Sequence, residues 1–498
     1  MATRKEQVDA FNFARRRMVS NMVAPTATGS DEFAPRPVRT FITSFMIGAV
    51  AIAAVVVLGV FRPSAPSGWQ NGLAVDSASG AVYVYSSQDD ELHPMSNTTS
   101  AKLLLGSTFQ VYNVPDSVIN GPNETIGAPY GILNAPPDVP AASNVNLTQW
   151  TACEQSPDAT NQTAAVSRTV LEVGYGTGSL SPMISNWSLL VHNGSQMFMI
   201  DGDYAYPIAN FDTATILTGT TVNSAQEEGP SVPSSWLGVF AQGGTIQVPT
   251  VPNAGNPVSS SLSGQPGRVI GDYGSTGPAS DYIETGSGLV EVSPFTYDLY
   301  KSAPPSGVQQ MTLTPSEAEQ AAVEKLNATS LSGTSATWPQ ADPSIVGDST
   351  GQDGSYAVAC ASFTGSIGSN GTPQLSLFTG PDLPHPLGAD GGIPQSTQSN
   401  PQLANVMDVE SGHAAIFQVA ANGSAKGTGT EYLLPSTGTM YPLAGKQTFT
   451  GLNGKQQQAS AAQQLGYSSL AAQAVPQSFA ALVEMGGTLN PIAAGQTP

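Results

Sequence analysis

Val232-Pro-Ser-Ser-Trp236 leading to Gly243-Gly-Thr-Ile246 and Val475-Pro-Gln-Ser-Phe479 leading to Gly486-Gly-Thr-Leu489 are one phrase written twice. The internal offsets are identical in both copies. Val114-Pro115-Asp116-Ser117-Val118 is a partial third copy. Matched spacing over such length marks a small structural unit used more than once.

A second pattern lies upstream of the phrases. Ala81 to Tyr85 is followed by a polar turn, then Leu92-His93-Pro94-Met95, then Asn97 to Gly106. Gln196 to Ile200, the turn Asp201-Gly202-Asp203, Tyr206-Pro207-Ile208 and Asn210 to Gly219 repeat that order. Asp281 to Glu284 with Leu289 to Ser293, and Glu431 to Leu434 with Met440-Tyr441-Pro442-Leu443, give two further copies. Each predicts two short strands around a tight turn, followed in most copies by a short helix. His93 occupies the place held by Tyr206 and Tyr441, and is read as a ring packed beside Pro94. Pro207, Pro442, Trp236 and Phe479 are read as structural positions of the same unit. Spacing between the copies is uneven, which excludes a continuous solenoid.

The material between copies, 121–186 and 338–409, contains one cysteine in each part, Cys153 and Cys360. In an exported domain an isolated pair is expected as a disulfide rather than as a metal site or a nucleophile. Two unrelated free thiols are the alternative. A disulfide would join two distant halves of one central domain, with two units inserted between them.

Phe41 to Phe61, FITSFMIGAVAIAAVVVLGVF, has no charge and no proline. As a helix it would be about 30 Å long, the hydrocarbon thickness of a bilayer. A single transmembrane helix is expected, because a helix satisfies all of its own amides in lipid. Arg4, Lys5, Arg15, Arg16, Arg17, Arg36 and Arg39 precede the span, and after Arg62 the next basic residue is Lys102. This bias places the N-terminus in the cytoplasm and the bulk of the chain outside. Thr3 and Glu6 fit a capping box, and Val8, Phe11, Ala14, Arg15 and Met18 follow at helical spacing. A short amphipathic helix ending in Arg15-Arg16-Arg17 is expected on the inner leaflet or against a cytoplasmic partner.

The 498-residue chain has a formal net charge of -20 although its first segment is basic, and only 10% of its residues are charged. Such acidity repels phosphate, so nucleic-acid binding by the large part is disfavoured. Abundant glycine (52) and proline (39) suit short strands and many turns.

Together these residues resemble the EccB membrane component of the type VII (ESX) secretion system. The resemblance runs from Thr3-Arg4-Lys5 and Phe11 to Arg17, through Gly68-Trp69, Leu92-His93-Pro94, Tyr130-Gly131-Ile132, Trp150-Thr-Ala-Cys153, Tyr206-Pro207-Ile208 and Cys360, to Tyr441-Pro442-Leu443, Leu465-Gly-Tyr467 and Val475-Pro476. It implies an α+β fold: a single-pass transmembrane helix plus an elongated extracytoplasmic region of four small modules, similar to a phage-lysin cell-wall-binding subunit, around a discontinuous, disulfide-tied β-rich domain. The expected divisions are 1–40 cytoplasmic, 41–61 membrane, 69–120 first module, 121–185 central, 186–262 second module, 263–333 third module, 334–408 central and 409–498 fourth module. It also implies a structural subunit of an inner-membrane translocon exporting small helical proteins. Its partners would be an FtsK/SpoIIIE-like ATPase, a polytopic subunit, a further membrane subunit, the bilayer and other copies of itself. The family is often described as an ATPase, and a cell-wall-binding module is a further alternative.

The sequence itself gives little support for catalysis, and no cofactor is expected beyond ATP by family description. Gly451-Leu-Asn-Gly454-Lys455-Gln456 lacks the glycine spacing and the hydroxyl of a phosphate-binding loop. Gly174 to Gly178 and Gly286-Ser-Gly288 are incomplete dinucleotide fingerprints and are read as turns. Gly347-Asp-Ser349-Thr-Gly351 matches a nucleophile elbow in letters alone, since no helix start follows it. His93, His192, His385 and His413 show no metal-ligand spacing, so no metal or catalytic residue is assigned.

Overall fold

The computed structural model describes residues 3–23 and 65–498, apart from 156–166, 179, 184–186, 224–228, 257–266, 268, 271–280, 287, 304–322, 326–330, 347–356, 370, 388–390, 422–423 and 425. Phe41 to Phe61 and Gly347 to Gly351 lie outside the described residues. Among those described, no helix is long and apolar enough to cross a membrane. The fold is α+β and mostly sheet.

Four sheets share one plan. In the first, Leu73–Asp76 runs antiparallel to Val82–Ser86, which turns into Glu91–Pro94. Helix Thr98–Leu105 follows, capped by the Asn97 side chain, which accepts from the Ser100 amide at 2.8 Å. The chain returns along Val111–Val114, parallel to the first strand. Pro115 then opens the one-turn helix Asp116–Ile119, and Thr125–Ile126 adds parallel to Glu91–Leu92.

The second sheet repeats these steps with strands Trp187–Asn193, Gln196–Asp201 and Tyr204–Pro207. Helix Phe211–Thr218 has Asn210 as its cap, and Pro233 opens helix Ser234–Leu237 before Ala241–Gln242 joins Tyr204–Ala205. The fourth uses Ala414–Ala420, Glu431–Pro435 and Thr439–Leu443, with Gln473–Pro476 returning parallel to the first of these. Here the ribbon Gln447–Thr450 with Gln456–Ala459 is inserted before helix Ala461–Leu465, which lengthens the interval between the hairpin and its phrase in this copy. In the third, Asp281–Glu284 and Leu289–Val292 form the hairpin, and helix Pro294–Ser302 follows.

The repeated phrase performs one job in three sheets. The amide of its last residue donates to the carbonyl of the strand proline: Tyr130 to Pro94 at 2.8 Å, Ile246 to Pro207 at 2.7 Å and Leu489 to Pro442 at 2.8 Å. Gly-Ala-Pro-Tyr130 is therefore the remainder of the partial copy begun at Val114. Three residues before each bond lies a glycine against the central ring of the strand. A Cβ on Gly243 would come within 2.2 Å of the Tyr206 ring, and one on Gly486 within 2.5 Å of Tyr441. The missing side chain is what lets the ring lie flat on the backbone.

Between these sheets lies a seven-stranded one, in the order Ile393–Pro394, Val406–Val409, Arg168–Val173, Trp150–Gln155, Val358–Ile367, Pro373–Gly380 and Ser181–Pro182. It interleaves segments from both sides of the second and third sheets. One face carries Ala152, Leu171, Ala359, Ala361, Phe363 and Met407, packed against residues of the second and fourth sheets. Trp236 and Phe479, the aromatic ends of the two phrases, are both fully buried there. Trp236 donates its indole N–H to the Ala152 carbonyl at 3.1 Å, and the Phe479 ring lies 5.7 Å from Phe363. Burial of a phenylalanine side chain contributes about 1.5–3 kcal/mol. The first sheet packs on the fourth through Leu73, Ala101, Leu104, Tyr441, Leu465 and Tyr467. Phe295 and Leu299 of the third share a core with Met199, Tyr206 and Ala214 of the second.

Three sequence expectations shift. Residues 121–147, assigned by sequence to the central domain, instead join the first and fourth sheets. Thr125–Ile126 pairs with Glu91–Leu92, Gly131 donates to the Gln496 carbonyl, and Leu147 donates to the Ala414 carbonyl. Likewise Ser344–Val346, placed in the central part, runs parallel to Trp187–Leu189 of the second sheet. Parallel additions come from far along the chain and leave no local period to read. The N-terminal helix also passes Arg17 and spans Arg4–Val23.

Gly243→Ala and Gly486→Ala are each expected to lower stability by about 1–3 kcal/mol, by forcing the tyrosine ring off its seat. Gly445→Ala, where nothing lies within 4 Å, should stay within about 0.5 kcal/mol. Urea denaturation of the purified chain checks both.

Candidate functional site

The residues singled out by sequence fall into three places. Cys153 and Cys360 sit opposite each other on adjacent antiparallel strands and are disulfide-bonded. Both are buried, on the face opposite Trp236 and Phe479, with Val170, Val358 and Val406. Pro94, Pro207 and Pro442, with His93, Tyr206 and Tyr441, form the ring-and-proline seat of their sheets. Arg15, Arg16 and Arg17 lie on the exposed N-terminal helix, where Val8, Phe11, Met18 and Met22 make an exposed apolar stripe. His93 does more than pack beside Pro94: it stacks on Tyr130 with 3.7 Å between ring centroids.

A titratable cluster that sequence did not single out flanks the disulfide. Glu172 and Asp408 are register partners on neighbouring parallel strands and so share a face. His385 covers them from the loop after Pro373–Gly380. Its Nδ1 lies 2.9 Å from Asp408 Oδ2, its backbone N–H donates to Glu172 Oε1 at 3.4 Å, and its ring stacks on Tyr175 at 4.0 Å. The Tyr175 hydroxyl donates to Asp408 Oδ1 at 3.3 Å. Glu172 is only 1% exposed and its Oε2 has no hydrogen-bond partner. Burial, reinforced by the Asp408 charge, pushes its carboxyl up from 4.5 to about 8. Burial and Asp408 likewise push the Tyr175 hydroxyl up to about 12. Burial in the wall of the central sheet thus favours the neutral form of the Glu172 carboxyl.

On the opposite side, a cleft of about 440 Å³ opens between the two phrase helices. Gly238, Phe240 and Gln242 form one wall, Gln477 and Ser478 the other, and Gly371 to Pro373 the roof. Its polar groups are neutral amides and hydroxyls, suited to hydrogen bonding rather than to proton transfer.

The nucleotide-like motifs occupy turns. Gly451 to Lys455 is the tip of the separate two-stranded ribbon Gln447–Thr450 and Gln456–Ala459, closed by the Gly451 amide on the Lys455 carbonyl at 2.9 Å. It feeds a strand, whereas a phosphate cradle feeds a helix N-terminus. Its carbonyls instead receive the Ser87 amide and the Gln88 side chain of the first sheet. Gly174 to Gly178 leaves strand Arg168–Val173 and enters no helix before Ser181–Pro182. Gly286 and Gly288 belong to the turn of the third hairpin.

Comparison with known proteins places this architecture. The family described as type VII secretion system ESX-1, transport TM domain B, matches residues 1–497, and the chain belongs to that family. It is 25% identical to the ESX-1 secretion system ATPase EccB1 of Mycobacterium tuberculosis strain H37Rv over 297 residues, 59% of this chain and 60% of that protein. It is 24% identical to the ESX-3 secretion system ATPase EccB3 of the same strain over 402 residues, 77% of this chain and 70% of that one. The match thus spans about three-fifths of the EccB1 relative. The fold is similar to a chain of an intact ESX-5 inner membrane complex, with a TM-score of 0.65, 19% identity, and coverage of 99% and 95% of the two chains. A structure of an EccB3 dimer from the ESX-3 core complex gives 0.62 at 20% identity, covering 85% and 100%.

The buried Glu172 generates a pH dependence. Between about 4.5 and about 8 the unfolded chain has lost this proton while the folded chain keeps it, so stability falls as pH rises across that window. Glu172→Gln should flatten this slope and raise the melting temperature relative to the parent at pH 8. Thermal unfolding at several pH values is the check, and an unchanged slope would contradict the assignment.

Proposed function

We propose that the chain is a single-pass subunit of a type VII (ESX) secretion inner-membrane complex, anchored by Phe41 to Phe61 with Arg15, Arg16 and Arg17 inside. In this reading the four hairpin sheets are copies of one module, and the extracytoplasmic part is a scaffold joining subunits and supporting export of small helical proteins. The observation that carries the reading is the family match over residues 1–497. The likeness in fold to a chain of the ESX-5 inner membrane complex supports it. Neighbouring subunits of the kinds named by the resemblance, an FtsK/SpoIIIE-like ATPase and a polytopic protein, would be its partners, along with further copies of itself. Self-association has a parallel in the EccB3 dimer.

A second reading is ATP hydrolysis, favoured by the names of the curated relatives. The turn geometry of Gly451 to Lys455 gives that reading no phosphate seat. Extraction of the tagged chain in mild detergent tests the scaffold reading. Co-migration with the ATPase subunit in a large complex is expected, whereas a lone monomer would contradict it. The purified chain should not turn over ATP above the rate of a Lys455→Ala control, and a turnover lost in that variant would favour the second reading.

A further inference from the structure

Glu91 and His93 alternate on the outgoing strand of the first hairpin, and so share a face. Asp89 lies in the turn that leads into that strand. One ligand atom from each, an imidazole nitrogen and two carboxylate oxygens, lies within 4.8 Å of the others. We propose that this trio is a divalent-cation site, suited to an ion such as Zn2+ or Mn2+ that accepts one imidazole and two carboxylates.

The histidine carries the argument. His93 is 2% exposed, and its Nδ1 lies 2.7 Å from the Ala128 carbonyl, which can only accept. Nδ1 therefore holds a proton. In the neutral ring this leaves Nε2 with its lone pair aimed at Asp89 Oδ2, 3.0 Å away. Three acceptor atoms then lie within 4.8 Å of one another, close enough for one cation to bridge them. A backbone carbonyl on the far nitrogen is also the usual way in which a metal-binding histidine is oriented. Stacking on Tyr130 fixes the ring plane.

Two observations from outside the trio agree. Gly127, the equivalent of Gly243 and Gly486, faces the acid here as well as the ring: a Cβ would come within 2.3 Å of Glu91 Oε2 and 2.7 Å of His93 Cε1. The glycine thus keeps a place for the Glu91 carboxylate. The other copies have no such set. Positions matching Asp89, Glu91 and His93 are Gly202, Tyr204 and Tyr206 in the second sheet, and Thr437, Thr439 and Tyr441 in the fourth. Both acids appear only in the copy whose ring is a histidine. Among the described residues no lysine or arginine pairs with Asp89 or Glu91.

The test uses the full purified chain, stripped with a chelator and titrated with ZnCl2 and then MnCl2, with bound metal counted by elemental analysis and melting followed in parallel. One equivalent of either ion should bind and raise the melting temperature. His93→Gln should weaken binding by about tenfold or more. Because that ring is buried, Asp89→Asn with Glu91→Gln, at more exposed positions, serves as a second variant. It should fold as the parent does, bind at least about tenfold more weakly and lose the metal-dependent rise in melting temperature. No stoichiometric uptake of either ion, or uptake equal in the parent and the double variant, would overturn the proposal. His93 and Asp89 would then form a hydrogen-bonded pair and nothing more.

Discussion

The bond between Cys153 and Cys360 is the constraint on which the rest of the architecture turns. It closes a sequence separation of 207 residues within a single strand register. On a chain-entropy view, closing a loop of that size removes about 5 kcal/mol of freedom from the unfolded chain. Its structural effect is more specific than its energy. With these strands side by side, the segments before the second hairpin sheet and after the third become one sheet, which the chain leaves after the edge strand Ser181–Pro182 and re-enters at the interior strand Val358–Ile367.

That sheet then acts as a platform. Trp236 and Phe479 end the same sequence phrase, and both are buried against the platform's apolar face, one from the second hairpin sheet and one from the fourth. The first and third sheets reach the platform through these two, packing on the fourth and the second respectively. Further ties lock the arrangement: Asp203 accepts the Leu375 amide at 2.7 Å, and Gln473 receives the Trp150 indole N–H at 3.2 Å. Burial of large aromatics at each junction resists relative motion.

Much of this was legible in the order of residues. The paired phrases fill matching places, with glycine where the tyrosine ring lies on the backbone and proline where the one-turn helix opens. Asn97 and Asn210 marked helix starts by the same capping chemistry. Less was legible where distant strands add in parallel, as at Thr125–Ile126 and Ser344–Val346, since their partners lie elsewhere in the chain. The cluster of Glu172, Tyr175, His385 and Asp408 was hidden because three separated segments meet only after the central sheet forms. Asp89, Glu91 and His93 are close in sequence, but Asp89 lies in a turn and only Glu91 and His93 on the strand, and the letters match no metal-binding motif.

Peptide mapping of the non-reduced, denatured chain by mass spectrometry tests the platform most directly. The account predicts one covalently linked pair of peptides, one with Cys153 and the other with Cys360, and no alkylated thiol before reductant is added. Two freely alkylated cysteines in chain purified from its native compartment would contradict it.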